Sequence, residues 1–155
     1  MKIEIYSREE MEKRLREGPL YDTAVISFYD PPTSRVPADY APLDYGNKCT
    51  AAYFIAIHDI DPEVLPEFGL TMETYFPEAK RLALFIKTAV ARNLHIVCQC
   101  EYGQSRSAAC AAAIKEYYAH EGISIFADYR YYPNQLIFNK LLAALKAVES
   151  GEDLR

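Results

Sequence analysis

Histidine is scarce in this chain of 155 residues. His58, His95 and His120 are far apart and outside any ligand spacing, so no metal site is expected. Cysteine is sparse too, with Cys49, Cys98, Cys100 and Cys110 only. Cys98 and Cys100 stand two apart, neither a zinc nor a thioredoxin spacing, and reduced thiols are expected rather than a disulfide framework. Positive charge is in deficit, with 17 basic against 22 acidic side chains and a net charge of -5. That balance argues against a nucleic-acid partner, which needs a basic face, and equally against an anionic membrane surface. No run approaches the roughly 20 apolar residues of a membrane span. The N-terminus Met1-Lys2-Ile3-Glu4-Ile5 is charged within its first residues and is not followed by an apolar run of the length a secretory leader needs. Internal repeats and low-complexity tracts are also missing. The expectation is a cytoplasmic protein without cofactor or metal, in which residues 1–155 form a single domain of ordinary globular composition.

What is present alternates between strand and helix. Lys2 to Tyr6 alternates as a strand does, and Ser7 followed by Glu10 is a capping box that opens a helix to about Arg16, closed by Gly18. Ala24 to Phe28 reads as a buried strand, and the succession predicts a βαβ start. From Tyr29 to Thr50 periodicity disappears and Pro31, Pro32, Pro37 and Pro42 punctuate the chain. Long loops border active sites in compact enzymes, which makes Arg35, Tyr40, Tyr45 and Lys48 candidate wall residues. Tyr53 to Ile57 is a further strand. A helix is expected from Thr71 or Thr74, with Pro77 in its first turn and a core stripe of Ala79, Leu82, Ala83, Ile86, Ala89 and Val90. Ser105 to His120 reads as an alanine-rich helix stopped by Gly122, and a last amphipathic helix follows Pro133. The tail Ser150 to Arg155 is polar and expected to fray.

The informative stretch is Ile96-Val97-Cys98-Gln99-Cys100-Glu101-Tyr102-Gly103-Gln104-Ser105-Arg106-Ser107. A short apolar strand stops at a cysteine, turns through five residues to an arginine, and enters a helix. That path gathers the free N–H groups of the loop and of the first helical turn around one spot beside Cys100. Such a spot binds an anion. The same donors favour thiolate over thiol, which makes Cys100 the candidate nucleophile. Arg106 can fold back and offer a planar fork to two oxygens of a phosphate. Gly103 relieves a tight loop, and the Ser107 hydroxyl can donate to the sulfur. An isolated Cys-x5-Arg is most often a buried cysteine and an unrelated surface arginine. The central glycine, the following serine and the strand-to-helix setting weigh against that here.

Expelling an alkoxide or phenolate from phosphorus needs a proton donor, and a carboxylic acid on a loop past a strand end can supply it. His58-Asp59-Ile60-Asp61-Pro62 offers two such carboxylates, Asp59 and Asp61.

The segment Cys100 to Ser107 resembles the signature loop His-Cys-x-x-Gly-x-x-Arg-Ser/Thr of the cysteine-dependent protein tyrosine and dual-specificity phosphatases, with Gln99 where that family usually has histidine. The resemblance implies an α/β fold: a central, mostly parallel sheet of four or five strands with helices on both faces, the signature loop joining a central strand to a helix. It implies hydrolysis of phosphate monoesters, on phosphotyrosine and also phosphoserine or phosphothreonine of proteins, through a phosphocysteine. Cys100, Arg106 and Asp59 would be catalytic, Asp59 matching the family's acid more closely than Asp61. Glu101, Tyr102, Gly103, Gln104, Ser105 and Ser107 would bind the substrate. The implied partner is a phosphorylated protein or a small phosphate monoester. The alternative is a catalytically weak or inactive phosphate- or phosphoprotein-binding module on the same fold.

Overall fold

The computed structural model describes residues 2–33 and 35–148; the polar tail 150–155, expected to fray, lies outside the described residues. Four strands, β1 (Ile3–Tyr6), β2 (Thr23–Tyr29), β3 (Ala51–Ala56) and β4 (His95–Gln99), form one sheet in the order β1-β4-β2-β3, with every pairing parallel. The expected α/β architecture is therefore present, with four strands. The βαβ start needs correction, because β1 and β2 are not neighbours and β4 lies between them. Burial explains the order. In β4, residues 96–99 are buried, so it needs cover on both edges and both faces, whereas β1 is only half-buried, as an edge strand can be.

Among the described residues five helices surround the sheet: α1 (Arg8–Arg16), α2 (Ala79–Ala91), α3 (Arg106–Ala119), α4 (Ile123–Phe126) and α5 (Gln135–Val148), with a 3-10 helix at Pro62–Phe68. Alternation along the strands assigns the faces. Ala24, Ile26, Phe28, Ile96 and Cys98 pack with α2, α3 and α5 in the main core. Val25 and Val97 turn to the other side, against Met11 and Leu15 of α1 and the loop residues Leu43 and Tyr45. α3 is buried all round from Arg106 to Ile114, and its alanines let it lie close to the sheet on one side and to α4 and α5 on the other. Among the described residues no helix is long and apolar enough to cross a membrane.

The start of α1 follows the sequence reading. Ser7 caps it by accepting from Glu10 N–H, and the Glu10 side chain accepts from Ser7 N–H. Two helix boundaries differ from expectation. α2 begins at Ala79 rather than at Thr71 or Thr74. Those two threonines each use the hydroxyl to accept from the other's N–H, closing a turn, and Phe76 takes a left-handed φ of 61° directly before Pro77. A residue before proline is kept out of the helical region, so the helix cannot run back through Phe76 to either threonine. α3 runs to Ala119, close to the expected His120, but what stops it is His120 itself, left-handed at φ 57°, and not Gly122.

Candidate functional site

All four strands run the same way, so their carboxyl ends collect on one side of the molecule. β4 ends at Gln99 and delivers Cys100, β2 ends at Tyr29 and delivers Asp30, and β3 ends at Ala56 and delivers Ile57, His58 and Asp59. Because β4 and β2 are adjacent, Cys100 and Asp30 leave neighbouring strands. Ligands in open α/β sheets bind outside such strand ends.

The loop from Cys100 to Ser105 is held from outside by its carbonyl groups. Arg8 N–H donates to Glu101 O (3.1 Å), Tyr132 N–H to Gln104 O (2.8 Å), and Asn134 N–H and Ala109 N–H to Ser105 O (3.2 and 2.9 Å). Among the described residues, the N–H groups of 101–106 have no acceptor. The loop thus spends its carbonyls on the scaffold and keeps its donors. Gly103 has φ 67°, and a Cβ there would lie 2.7 Å from Ser7 N and 3.0 Å from Tyr6 C. The loop passes the start of α1 so closely that only glycine fits.

Cys100 is 2% exposed, and its Sγ lies 3.0 Å from Ser107 Oγ at the start of α3. Arg106 is 4% exposed. Its NH1 donates to Asp30 Oδ1 (2.8 Å) and to Ile57 O (2.9 Å), while Nε is buried and has no acceptor among the described residues. Burial works against the Arg106 charge, but Asp30 foremost, then Cys100 and Asp59, outweigh it and hold the guanidinium above its ordinary pKa.

Gln99 faces the α1 side of the sheet, opposite Ser27 in register. Its Oε1 accepts from Ser27 Oγ (2.5 Å) and Tyr45 OH (2.9 Å), and its Nε2 donates to Cys100 O (3.0 Å). A buried, uncharged amide thus tethers the base of the loop. Burial pushes the Tyr45 phenol well above its ordinary pKa and keeps this network neutral.

A cleft of about 570 Å³ opens over the loop, lined among others by Asp30, Arg35, His58, Asp59, Glu101, Tyr102 and Arg106. Asp59 Oδ1 accepts from Ser105 Oγ (2.7 Å) and from Asn134 Nδ2 (3.0 Å), which ties the loop after β3 to the loop after β4. Asp61 instead leads into the 3-10 helix, where its carbonyl accepts from Val64 N–H. Of the residues singled out in the sequence, Asp59, Glu101, Tyr102 and Arg106 line the cleft, whereas Cys100 and Ser107 are buried. Tyr102 is 77% exposed. Of the loop candidates, Arg35 lines this cleft. Tyr40 OH accepts from Asp30 N–H (3.0 Å), Tyr45 lies beneath the sheet, and Lys48 caps the Leu15 carbonyl (3.0 Å).

Three residues here were not anticipated. Asp30 is a carboxylate at a strand's carboxyl end, the same signal that marks Asp59. Asn134 caps α5 by accepting from Ile137 N–H (2.9 Å) and braces Asp59; an asparagine after Pro133 and before an apolar stripe carries that signal. His58 packs against Phe68 with ring centres 4.6 Å apart and tilted by 49°, and burial, opposed by Asp30 and aided by Arg106, pushes it below the ordinary histidine pKa. Among the described residues no group of three or more His, Cys, Asp or Glu is placed to hold a metal ion.

No protein-family model matches the chain, and no curated protein matches it by sequence. Solved structures do. Human DUSP28 superposes with a TM-score of 0.54 at 16% identity, over 97% of this chain and 95% of its own. The chain has the dual-specificity phosphatase fold. Tk-PTP in its active form superposes with a TM-score of 0.55 at 14% identity, over 94% and 92% of the two chains. The human tyrosine phosphatase-like serine/threonine/tyrosine-interacting protein gives 0.52 at 13% identity, over 93% and 87%. The dual-specificity phosphatase fold is thus shared along nearly the whole chain.

Proposed function

We propose that residues 1–155 act as a single-domain, cysteine-dependent phosphatase that hydrolyses phosphate monoesters. Its substrate would be phosphotyrosine, and also phosphoserine or phosphothreonine, on proteins of the cytoplasm. The carrying observation is a buried arginine on the cleft wall whose Nε has no acceptor among the described residues, next to a loop whose N–H groups are equally unspent among them. Buried donors are nearly always paired, and a set left unpaired around one cysteine suits three phosphoryl oxygens.

In this reading Cys100 Sγ attacks phosphorus, the S–P bond forms and the P–O bond of the ester breaks. Asp59 gives its proton to the departing oxygen. Water then attacks the phosphocysteine, Asp59 takes the water's proton, the S–P bond breaks, and inorganic phosphate leaves with the thiolate restored. Ser107 Oγ, 3.0 Å from the sulfur, donates to it as it departs. Ser105 and Asn134 hold the Asp59 carboxyl at the loop. The residues 101–107 supply positioning and charge stabilisation, which is most of what phosphoryl transfer asks of a protein.

A second reading, the non-catalytic phosphate- or phosphoprotein-binding module, draws on the 2% exposure of Cys100 and on Gln99 in place of histidine. Phosphate release from phosphotyrosine, phosphoserine and phosphothreonine peptides decides between the two, with Cys100→Ser as control. Turnover lost in Cys100→Ser supports catalysis. Phosphate binding by a wild-type protein that hydrolyses none of them supports the module.

A further inference from the structure

The cleft holds a carboxylate that this chemistry leaves unused. Asp30 leaves the end of β2, its backbone N–H bonded to Tyr40 OH (3.0 Å) and its Oδ1 accepting from Arg106 NH1 (2.8 Å). The same nitrogen donates to Ile57 O (2.9 Å), so both protons of NH1 are committed, one to each flanking strand end. A planar guanidinium tied at two points through one terminal nitrogen has little freedom to turn. What it leaves for an anion is the Nε edge, and among the described residues Nε has no acceptor. The Asp30 side chain itself is 42% exposed to the cleft.

We infer that Asp30 is the positioning residue for Arg106: with the Ile57 carbonyl it pins NH1 so that the Nε edge is left for phosphate, and its charge loosens the site's hold on free phosphate. The inference rests on the phosphate-monoester reading and adds to it a device for orientation and release. Asp30 does not touch the reacting atoms; it acts through Arg106. A mutual charge offset of this kind in a half-exposed pair is modest, about 1 kcal/mol or about fivefold in affinity. Misplacement of a clamping arginine by about 1 Å costs more, about 10²-fold in rate.

The test compares D30A, which loses both acceptor and charge, with D30N, which keeps an oxygen acceptor in place. Turnover of p-nitrophenyl phosphate and competitive inhibition by inorganic phosphate are measured for each, with thermal unfolding to show that the variants are folded. D30A is expected to lose about 10–10² in kcat, and D30N to recover most of that loss. Both are expected to bind inorganic phosphate about fivefold more tightly than wild type. Wild-type kcat in D30A overturns the inference, as does D30N no faster than D30A, or phosphate binding that is not tightened. Should D30A not fold, the comparison of D30N with wild type for phosphate affinity decides alone. A wild-type protein that turns over no substrate refutes the phosphatase proposal. In that case calorimetric titration of inorganic phosphate into wild type and D30N still decides about Asp30, tighter binding by D30N upholding it and equal or no binding refuting it.

Discussion

Replacing Gly103 by alanine tests whether the signature loop is seated against the start of α1. The residue sits at φ 67°, where a Cβ costs about 1–2 kcal/mol through its clash with the neighbouring carbonyl. The added methyl would also lie 2.7 Å from Ser7 N and 3.1 Å from Ser7 Cα, backbone atoms that a capping box holds still. Relief requires the loop to lift from α1, giving up the bond from Arg8 N–H to Glu101 O, worth about 1 kcal/mol. The expected destabilisation is about 2–4 kcal/mol, or about 5–15 °C in Tm for a chain of this size. Gly69 supplies the control. It ends the 3-10 helix at φ 68° with nothing within 4 Å of where its Cβ would be. Gly69→Ala carries the conformational cost alone, about 1–2 kcal/mol. Differential scanning calorimetry of the two variants isolates the close approach as their difference. Equal losses of Tm would refute it, and so would a Gly103→Ala protein that melts with wild type.

Three further outcomes are expected. Asp59→Ala slows aryl phosphate turnover by about 10²–10⁴-fold, the range of one general acid, whereas Asp61→Ala leaves steady-state kinetics near wild type; the reverse pattern would transfer the role. Gln99→Leu strips the bond from Cys100 O and leaves the Ser27 and Tyr45 hydroxyls short of an acceptor, lowering stability by about 2–5 kcal/mol in urea unfolding. Tyr45 and Tyr75 are both pushed above the ordinary tyrosine pKa, chiefly by burial, so they keep their protons in the folded state. Below pH about 10 the unfolded chain keeps them too and stability is flat; above it only the unfolded chain ionises, so stability falls as pH rises. Tyr45→Phe should shallow that fall between pH 9 and 11 in about the proportion of one group, and an unchanged slope would contradict it.

Much of the site was legible because its signals are local. Cys100, Gly103, Arg106 and Ser107 lie within one turn and one helix start, and the Ser7–Glu10 capping box is a four-residue pattern; both appear where the sequence implies. The Asp59 carboxylate was readable from its place past a strand. What escaped depends on strand order. Asp30 joins Arg106 because β2 and β4 are neighbours, and no spacing announces that β4 enters between β1 and β2. Asn134 reaches Asp59 from a helix 75 residues later, a contact that only the closed fold creates. The start of α2 was misjudged for a local reason, since a left-handed Phe76 ahead of proline outweighs threonines that look like caps.

The pairing of β1 with β4 joins Ile3 to Ile96 and Tyr6 to Gln99. β1 therefore has no strand to dock against until β4 (His95–Gln99) is in place. Closing so long a span is entropically costly and kinetically slow, so it belongs among the late events of folding. Gly103 meets the backbone at Tyr6 and Ser7, so the loop after β4 acquires its shape only when that late docking is complete. Seating of the loop after β4 and docking of β1 then become a single event, and removing Ile3–Tyr6 should unseat that loop without touching any residue that lines the cleft.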